Sequence, residues 1–356
     1  MIAGHLGVVA LLGLLACSSP APAAPAASAS APGAAPGAAT GADALYAQGR
    51  QEGRAVVYVQ SPETLAPVKA GFEKRYPGVT VELVGGRGTE QLTRINAEYV
   101  SGQHVADVVG SGGSTMLELV QAGYLAPVRP ADADKLIPEA EMDEGRHWIY
   151  ALNVYGVLVN TRLTPPDKLP AQRADLLDPF WRGEGKMLLD DPRAQGGGQS
   201  FLVVSYRDLG PDFLQRLAAQ KPTWTRDRLN GPVQVARGEF ALFAPQNVAE
   251  DVARLEKSAP VKLVFLRDGS YYTELTMGVL TEAPHPNAAR LWMDYLYGEE
   301  GQRAMAQEGV QYGVRPDVPA PAGYPTLGEL TLTTRSREER LRNDDYMKTF
   351  NETLFR

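Results

Sequence analysis

The chain has one cysteine, Cys17, among 356 residues. A lone thiol excludes an internal disulfide and a thiolate metal cluster. Histidine is scarce as well: His104, His147 and His285 stand apart, without the His-x-x-His or His-Glu-x-x-His spacing that zinc needs. There is no Gly-x-Ser-x-Gly elbow, and Gly85-Gly-Arg-Gly88 lacks the Gly-Lys-Ser/Thr end of a phosphate loop. These gaps leave no catalytic constellation and imply no cofactor. Basic excess is missing too: 35 Lys and Arg against 42 Asp and Glu give a net charge of −7, which argues against a nucleic-acid binder. Beyond residue 42 no apolar run is long enough to cross a membrane.

Residues 1–42 carry no Lys, Arg, Asp or Glu at all, so the folded part holds the whole charge. Val8 to Ala16 is apolar but too short for a spanning helix, and it ends at Leu14-Leu15-Ala16-Cys17. That is where a bacterial lipoprotein signal places the cysteine that is cleaved and acylated. Residues 1–17 are therefore expected to be a signal segment with lipidated Cys17. Residues 18–44, nearly all Ala, Pro, Ser and Gly, cannot bury enough apolar surface to fold and are expected to be a flexible tether. The rest would work in the periplasm or at the cell surface, held to membrane by lipid alone.

Past the tether, strands and helices alternate. Ala55 to Val59 reads as a strand, and Ser61-Pro62-Glu63 opens a helix with Leu65, Val68 and Phe72 at helical spacing. Val79 to Val84 is a second strand, Glu90 to Tyr99 a helix, and Ala106 to Val109 a third strand. The next helix, Met116 to Ala122, has a predicted capping box of Thr115 and Glu118. A second unit repeats the plan. It has a long β stretch from Trp148, a strand over 186–190 and helices over 200–208 and 213–220. A strand over Phe240 to Phe243 and a helix from Gln246 to Glu256 complete it. The class is α/β, with mostly parallel sheets covered by helices. The tail opens with a capping box, Ser336 and Glu339, and reads as a C-terminal helix docked on a lobe.

Several phrases share an order and spacing with one family. They are Phe72-Glu-Lys-Arg-Tyr-Pro-Gly78, Ala106-Asp-Val-Val109, Asp175-Leu-Leu-Asp-Pro-Phe-Trp-Arg-Gly183 and Ala283-Pro-His-Pro-Asn-Ala-Ala289 with Gly301-Gln302. From about residue 45 to 320 the chain resembles the solute-binding proteins of ABC importers, in the ferric-iron-binding-like branch. The resemblance implies a type II periplasmic-binding-protein fold. Two α/β lobes are joined by crossing strands, expected near Tyr150–Asn153 and Leu266–Tyr272, and close on ligand by a hinge. Lobe 1 would be residues 45–150 and 273–356, including the C-terminal helix; lobe 2 would be 151–272. The implied partners are a small solute and an inner-membrane ABC permease, with the binding protein itself a monomer.

Ferric members hold iron with an adjacent tyrosine pair, a histidine and a glutamate. Here Gln246-Asn247 stands where the pair is expected, Ser61 or its neighbours where the histidine is, and Gly112 where the glutamate is. Tyr271-Tyr272 lies later, in the second crossing. The reading is therefore a metal-free site for a small anionic or zwitterionic organic solute: a phosphonate, sugar phosphate or carboxylate. Ferric binding is the alternative, and a ligand-sensing partner of a signalling receptor is another. The expected anion contacts are Ser111, Gly112, Gly113 and Ser114 before one helix, Gly197, Gly198 and Gln199 before another, and Ser61 before a third. Gln246 and Asn247 are expected to supply hydrogen bonds, and Arg228, with Arg226 as a second candidate, the charge. Tyr271, with Tyr272, Trp148 and Tyr150, would wall the cleft or pack in the core. Arg87 reads as exposed loop, and Asp190-Asp191, which could be a metal or acid pair, as an Asp-Pro turn.

Overall fold

The computed structural model describes residues 41–194 and 196–355, so Cys17, the expected signal segment and the tether to residue 40 lie outside the described residues. The first elements are α1 (Gly41–Glu52), β1 (Arg54–Val59), α2 (Pro62–Arg75), β2 (Thr80–Gly85), α3 (Gly88–Ser101), β3 (Val108–Gly112) and α4 (Gly113–Gln121). Two short strands, β4 (Leu125–Ala126) and β5 (Glu141–Met142), precede the long strand β6 (His147–Asn160). Then come β7 (Met187–Asp190), α5 (Gly197–Ala219), β8 (Thr223–Thr225), α6 (Gly231–Arg237), β9 (Leu242–Asn247), α7 (Glu250–Ser258) and β10 (Val261–Val264). The last elements are β11 (Ser270–Leu280), α8 (Pro286–Tyr297), α9 (Glu299–Gln307), β12 (Tyr312–Gly313), β13 (Leu332–Thr333), α10 (Arg337–Leu341) and α11 (Asn343–Leu354).

The strands run in the order β2-β1-β3-β11-β6-β9-β7-β8. β1 is parallel to β2 and β3, and β7 is parallel to β8 and β9. Each parallel group is a lobe's sheet, and antiparallel β6 and β11 join them. β6 pairs with β11 from Trp148 to Val154 and then with β9 from Tyr155 to Val159. One strand thus serves both lobes, and its change of partner lies just beyond the expected Tyr150–Asn153. The return begins after Val264 and re-enters the sheet at Ser270. This is the two-lobe type II architecture.

Local chemistry explains the first lobe. Ala55 to Val59 are all buried, as a parallel strand covered on both faces requires. α2 starts at Pro62, whose missing N–H costs nothing at a helix start, and Leu65, Val68 and Phe72 face inward. Phe72 meets Trp292 edge-on at 5.5 Å and Tyr295 at 5.7 Å, closing α2 onto α8. The Glu52 carboxylate accepts the Ala288 N–H at 2.7 Å, which caps α8 from α1. Asp107 is fully buried; its oxygens accept the N–H groups of Val56 at 2.7 Å and His285 at 2.6 Å.

The structure corrects several expectations. α1 begins at Gly41, so residues 41–44 are helix rather than tether. α4 begins at Gly113 with Gly112 as its cap, so Thr115 and Glu118 do not cap it. β9 runs on through Gln246 and Asn247, and the next helix starts only at Glu250. The helices expected at 200–208 and 213–220 are both present within α5, parted by the non-helical Gly210, where φ is +76° ahead of Pro211. The C-terminal helix also changes place: α11 packs on α5. Its Phe350 is fully buried in the core that holds Trp181, Leu189, Phe213 and Leu217, so the tail ends on the second lobe.

Candidate functional site

The lobe junction is built where β6 and β11 run side by side. Tyr155 of β6 stacks on Tyr271 of β11, with centroids 5.1 Å apart and planes at 27°. The Tyr271 ring is buried and Tyr155 half-buried, and burial raises both phenol pKa values above the ordinary one. Next to them α5 begins. A Cβ on Gly197 would fall 2.9 Å from the Tyr155 ring, so only glycine lets this helix start approach the stack.

The Gly198 N–H donates to Asp190 Oδ2 at 2.9 Å, tying the helix start to the end of β7. A Cβ on Gly198 would fall 2.8 Å from the Asp190 carbonyl carbon, so this residue is held as glycine by backbone contact. Asp190 is 4% exposed; burial pushes its carboxyl up to about 6 against the opposing pull of the Gly198 N–H and the Arg228 charge. Gln199 and Ser200 complete the first turn, both buried, with Ser200 hydrogen-bonded to Tyr271.

The C-terminal segment crosses this junction as a strap. β13 pairs with β11 at Ser270 and Tyr271, and the Thr334 hydroxyl donates to the Tyr272 carbonyl at 2.9 Å. Arg335 is 6% exposed. Its Nη1 reaches Gln199 Oε1 at 3.5 Å and its Nη2 donates to the Glu339 carbonyl at 2.7 Å and to Asn343 Oδ1. Its Nε is buried without a partner, and burial lowers its pKa from the ordinary guanidinium value. Arg340 donates from Nη2 to both oxygens of Glu274 at 2.7 Å and lies over the start of α4. Its Nη1 is 2.7 Å from where a Cβ on Gly113 would stand. Arg207 of α5 holds the strap from the other side through the Thr333 hydroxyl at 2.6 Å and the Thr334 carbonyl at 2.9 Å.

Of the residues singled out in the sequence, Gly197, Gly198, Gln199 and Tyr271 come together here, and Gly113 lies beneath Arg340. Ser111 is buried opposite Thr276, its hydroxyl taking a bond from Gln60 Nε2 at 3.2 Å; Gly112 has open space about its Cα and Ser114 is exposed. Asn247 pairs with Tyr155 across β9 and β6, but Gln246 Nε2 is spent on the Asn247 carbonyl at 2.9 Å and Asn247 Nδ2 on the Val248 carbonyl at 3.1 Å. Arg228 is exposed, and its charge is felt at Tyr155 and Asp190. Arg226 instead pairs with Asp191 at 3.2 Å, as Arg193 does at 2.6 Å. Ser61 is exposed at the start of α2, without a side-chain cap bond.

The expected walls divide. Trp148 and Tyr150 are core: the indole N–H donates to the Val128 carbonyl at 2.8 Å, and both side chains are buried in the same hydrophobic cluster. Tyr272 is neighbour to Tyr271 on one strand, so the two point to opposite faces and do not form a pair aimed at one ion. Sequence reasoning missed Tyr155, Arg335, Arg340 and Glu274, and took Asp190 for a turn residue. The one available signal was the basic run beside the Ser336 capping box. A groove of about 460 Å³ is lined by β10, by residues 265–267 of the second crossing and by residues 323–331.

Comparison with known proteins agrees with the architecture. Iron-bound HitA from Pseudomonas aeruginosa superposes with a TM-score of 0.70 at 19% identity, covering 84% of this chain and 99% of that one. AfuA of Actinobacillus pleuropneumoniae, solved with fructose-6-phosphate bound, gives 0.66 at 21% identity, covering 85% and 99%. By sequence, the iron uptake protein A2 of Synechocystis is 26% identical over 267 residues, 70% of this chain and 76% of that protein. The model of one family matches residues 26–311, most of the chain. The chain belongs to the bacterial extracellular solute-binding proteins.

Proposed function

We propose that the protein captures a small anionic or zwitterionic organic solute between its lobes, without metal, and delivers it to the permease of an ABC importer. Candidate classes are phosphonates, sugar phosphates and carboxylates. The observation that carries this reading is the start of α5. There Gly197 to Ser200 place a helix N-terminus at the lobe junction beside the stacked tyrosines, with its Gly198 N–H bonded to the buried Asp190 carboxylate. Ligand contacts from both lobes would exist only in the closed form, so ligand would shift the population toward it. The sugar phosphate bound to AfuA, a neighbour of the same fold, supports this class. Lipidation of Cys17 would keep the protein at the membrane, and a Cys17→Ser chain should then leave the membrane fraction.

One observation favours ferric iron as a second reading: Tyr155, Tyr271 and Asp190 bring two phenols and a carboxyl to one region. Thermal melting of residues 41–356 with ferric citrate, fructose 6-phosphate, methylphosphonate and citrate separates the two. Ligand at about 100 times its Kd adds about 2.7 kcal/mol, a shift of several degrees. A shift with an organic anion alone supports the solute reading. A shift with ferric iron alone, accompanied by phenolate-to-iron colour, replaces it.

A further inference from the structure

Resting on that reading, we propose that Arg335 of the C-terminal strap is the charge partner of the solute's oxyanion group. The strap would then form a third wall of the binding site, not merely a tail.

Arg335 carries a buried charge without an ion-pair partner among the described residues: it is 94% buried by the complement of its 6% exposure, and no carboxylate lies within ion-pair distance of it. A guanidinium taken out of water costs several kcal/mol unless an anion and a full set of acceptors replace the water. Arg335 has neutral acceptors on Nη1 and Nη2 only, and Nε has none.

The surroundings sharpen the imbalance. Arg335 meets the first turn of α5 through Gln199, at the positive end of the helix that runs from Gly197 to the kink at Gly210. Arg340 is near enough for its charge to act on Arg335, and its Nη1 faces the start of α4. Glu274 is already committed to Arg340 through both oxygens. Among the described residues, two guanidinium groups and two helix N-termini therefore face Glu274, which is committed to Arg340, and Asp190, which is committed to the α5 start, while the Glu339 charge acts on Arg335 from beyond ion-pair distance. An oxyanion seated between Arg335 and the α5 start would take the free Nε–H, restore the balance and use the fork geometry of the guanidinium. Phosphoryl, phosphonyl and carboxylate groups share this chemistry.

The plain alternative is that Arg335 is only a staple between α5 and α11. The two differ in sign. A staple stabilises the empty protein, whereas an unpaired buried charge does not. The experiment measures Kd for fructose 6-phosphate, methylphosphonate and citrate by calorimetry, and the melting temperature without ligand, for the wild type, Arg335→Gln, Arg335→Lys and, at the exposed end of α6, Arg237→Gln. The expected result is a loss of at least thirtyfold in affinity for Arg335→Gln at an unchanged ligand-free melting temperature. Arg335→Lys should be intermediate, and Arg237→Gln within about threefold. Wild-type affinity in Arg335→Gln overturns the proposal, as does a lowered melting temperature with affinity intact. If Arg335→Gln does not fold, Arg335→Lys decides: weaker binding at wild-type stability supports the proposal and unchanged binding overturns it. Failure of the wild type to bind any of the three anions would instead count against the solute reading itself.

Discussion

The Arg340 Nη2 stands 2.7 Å from both Oε1 and Oε2 of Glu274, fastening the strap to the strand that returns between the lobes. The Glu274 side chain is 11% exposed, and its other contact is the Thr334 hydroxyl at 3.5 Å. Arg340→Ala would leave a nearly buried carboxylate unpaired. The expected loss is about 1–3 kcal/mol in urea unfolding, with part recovered when Glu274→Gln is added. Additive losses in that double-mutant cycle would show that the pair is not coupled.

Phe350 is fully buried among the second lobe's aromatic and aliphatic side chains. Phe350→Ala should therefore cost about 3–5 kcal/mol by the cavity it leaves. Leu341, 68% exposed a few residues earlier in the same tail, provides the contrast. Leu341→Ala should change stability by less than about 0.5 kcal/mol. Equal, small effects at both positions would mean that α11 is not docked as described.

Asp190 makes a prediction about pH. Its carboxyl titrates at about 6 in the fold against 3.8 for the ordinary group, so the folded state holds the proton more tightly. The stability this contributes is complete below about 3.8 and is lost as pH rises through about 6. Asp190→Asn, whose amide oxygen can still accept the Gly198 N–H, should flatten the melting temperature across that window. At pH 7 it should stabilise the empty protein by about 1–3 kcal/mol. If Asp190 also receives a cationic group of the solute, the same variant should lose zwitterion binding and keep simple anions. A wild-type pH profile in Asp190→Asn would refute the assignment.

Two glycines at helix starts should respond oppositely. A Cβ on Gly198 would press on the backbone of Asp190, whereas one on Gly112 would meet nothing within 4 Å. Gly198→Ala is expected to destabilise by about 2 kcal/mol or more through displaced backbone. Gly112→Ala should fall within about 1 kcal/mol of the wild type, measured by thermal melting.

What the sequence disclosed follows from the range of each interaction. Ser61-Pro62 starts α2, and Leu65, Val68 and Phe72 sit on one face of it, because cap chemistry and helical period act within a few residues. The crossing strands were legible to within a few residues for the same reason: β6 is a long, unbroken β-forming run. The site was legible only in its local half. Gly197 to Gln199 announce a helix start, but Arg335 meets Gln199 across 136 residues and Arg340 meets Glu274 across 66. No local pattern carries that information. Adjacent Asp190 and Asp191 look alike in sequence, yet the strand end sends them apart. Asp191 goes to Arg193 and Arg226, and Asp190 to the α5 start. The tail's amphipathic helix was evident, but the lobe that receives it is decided by a long-range contact of Phe350.

The path of the tail has a mechanical consequence. β12 still belongs to the first lobe's sheet through its pairing with Leu152, while α11 ends on the second lobe, so among the described residues the backbone passes between the lobes three times. Two neighbouring strands form a ribbon that can flex or wring about its own axis. A third tether that is fastened to the ribbon at β13 opposes wringing and leaves flexing as the soft coordinate. The carboxyl terminus rides with the second lobe while residues 41–52 ride with α8 of the first. The distance between the two ends of the folded chain is therefore a ruler for the angle between the lobes.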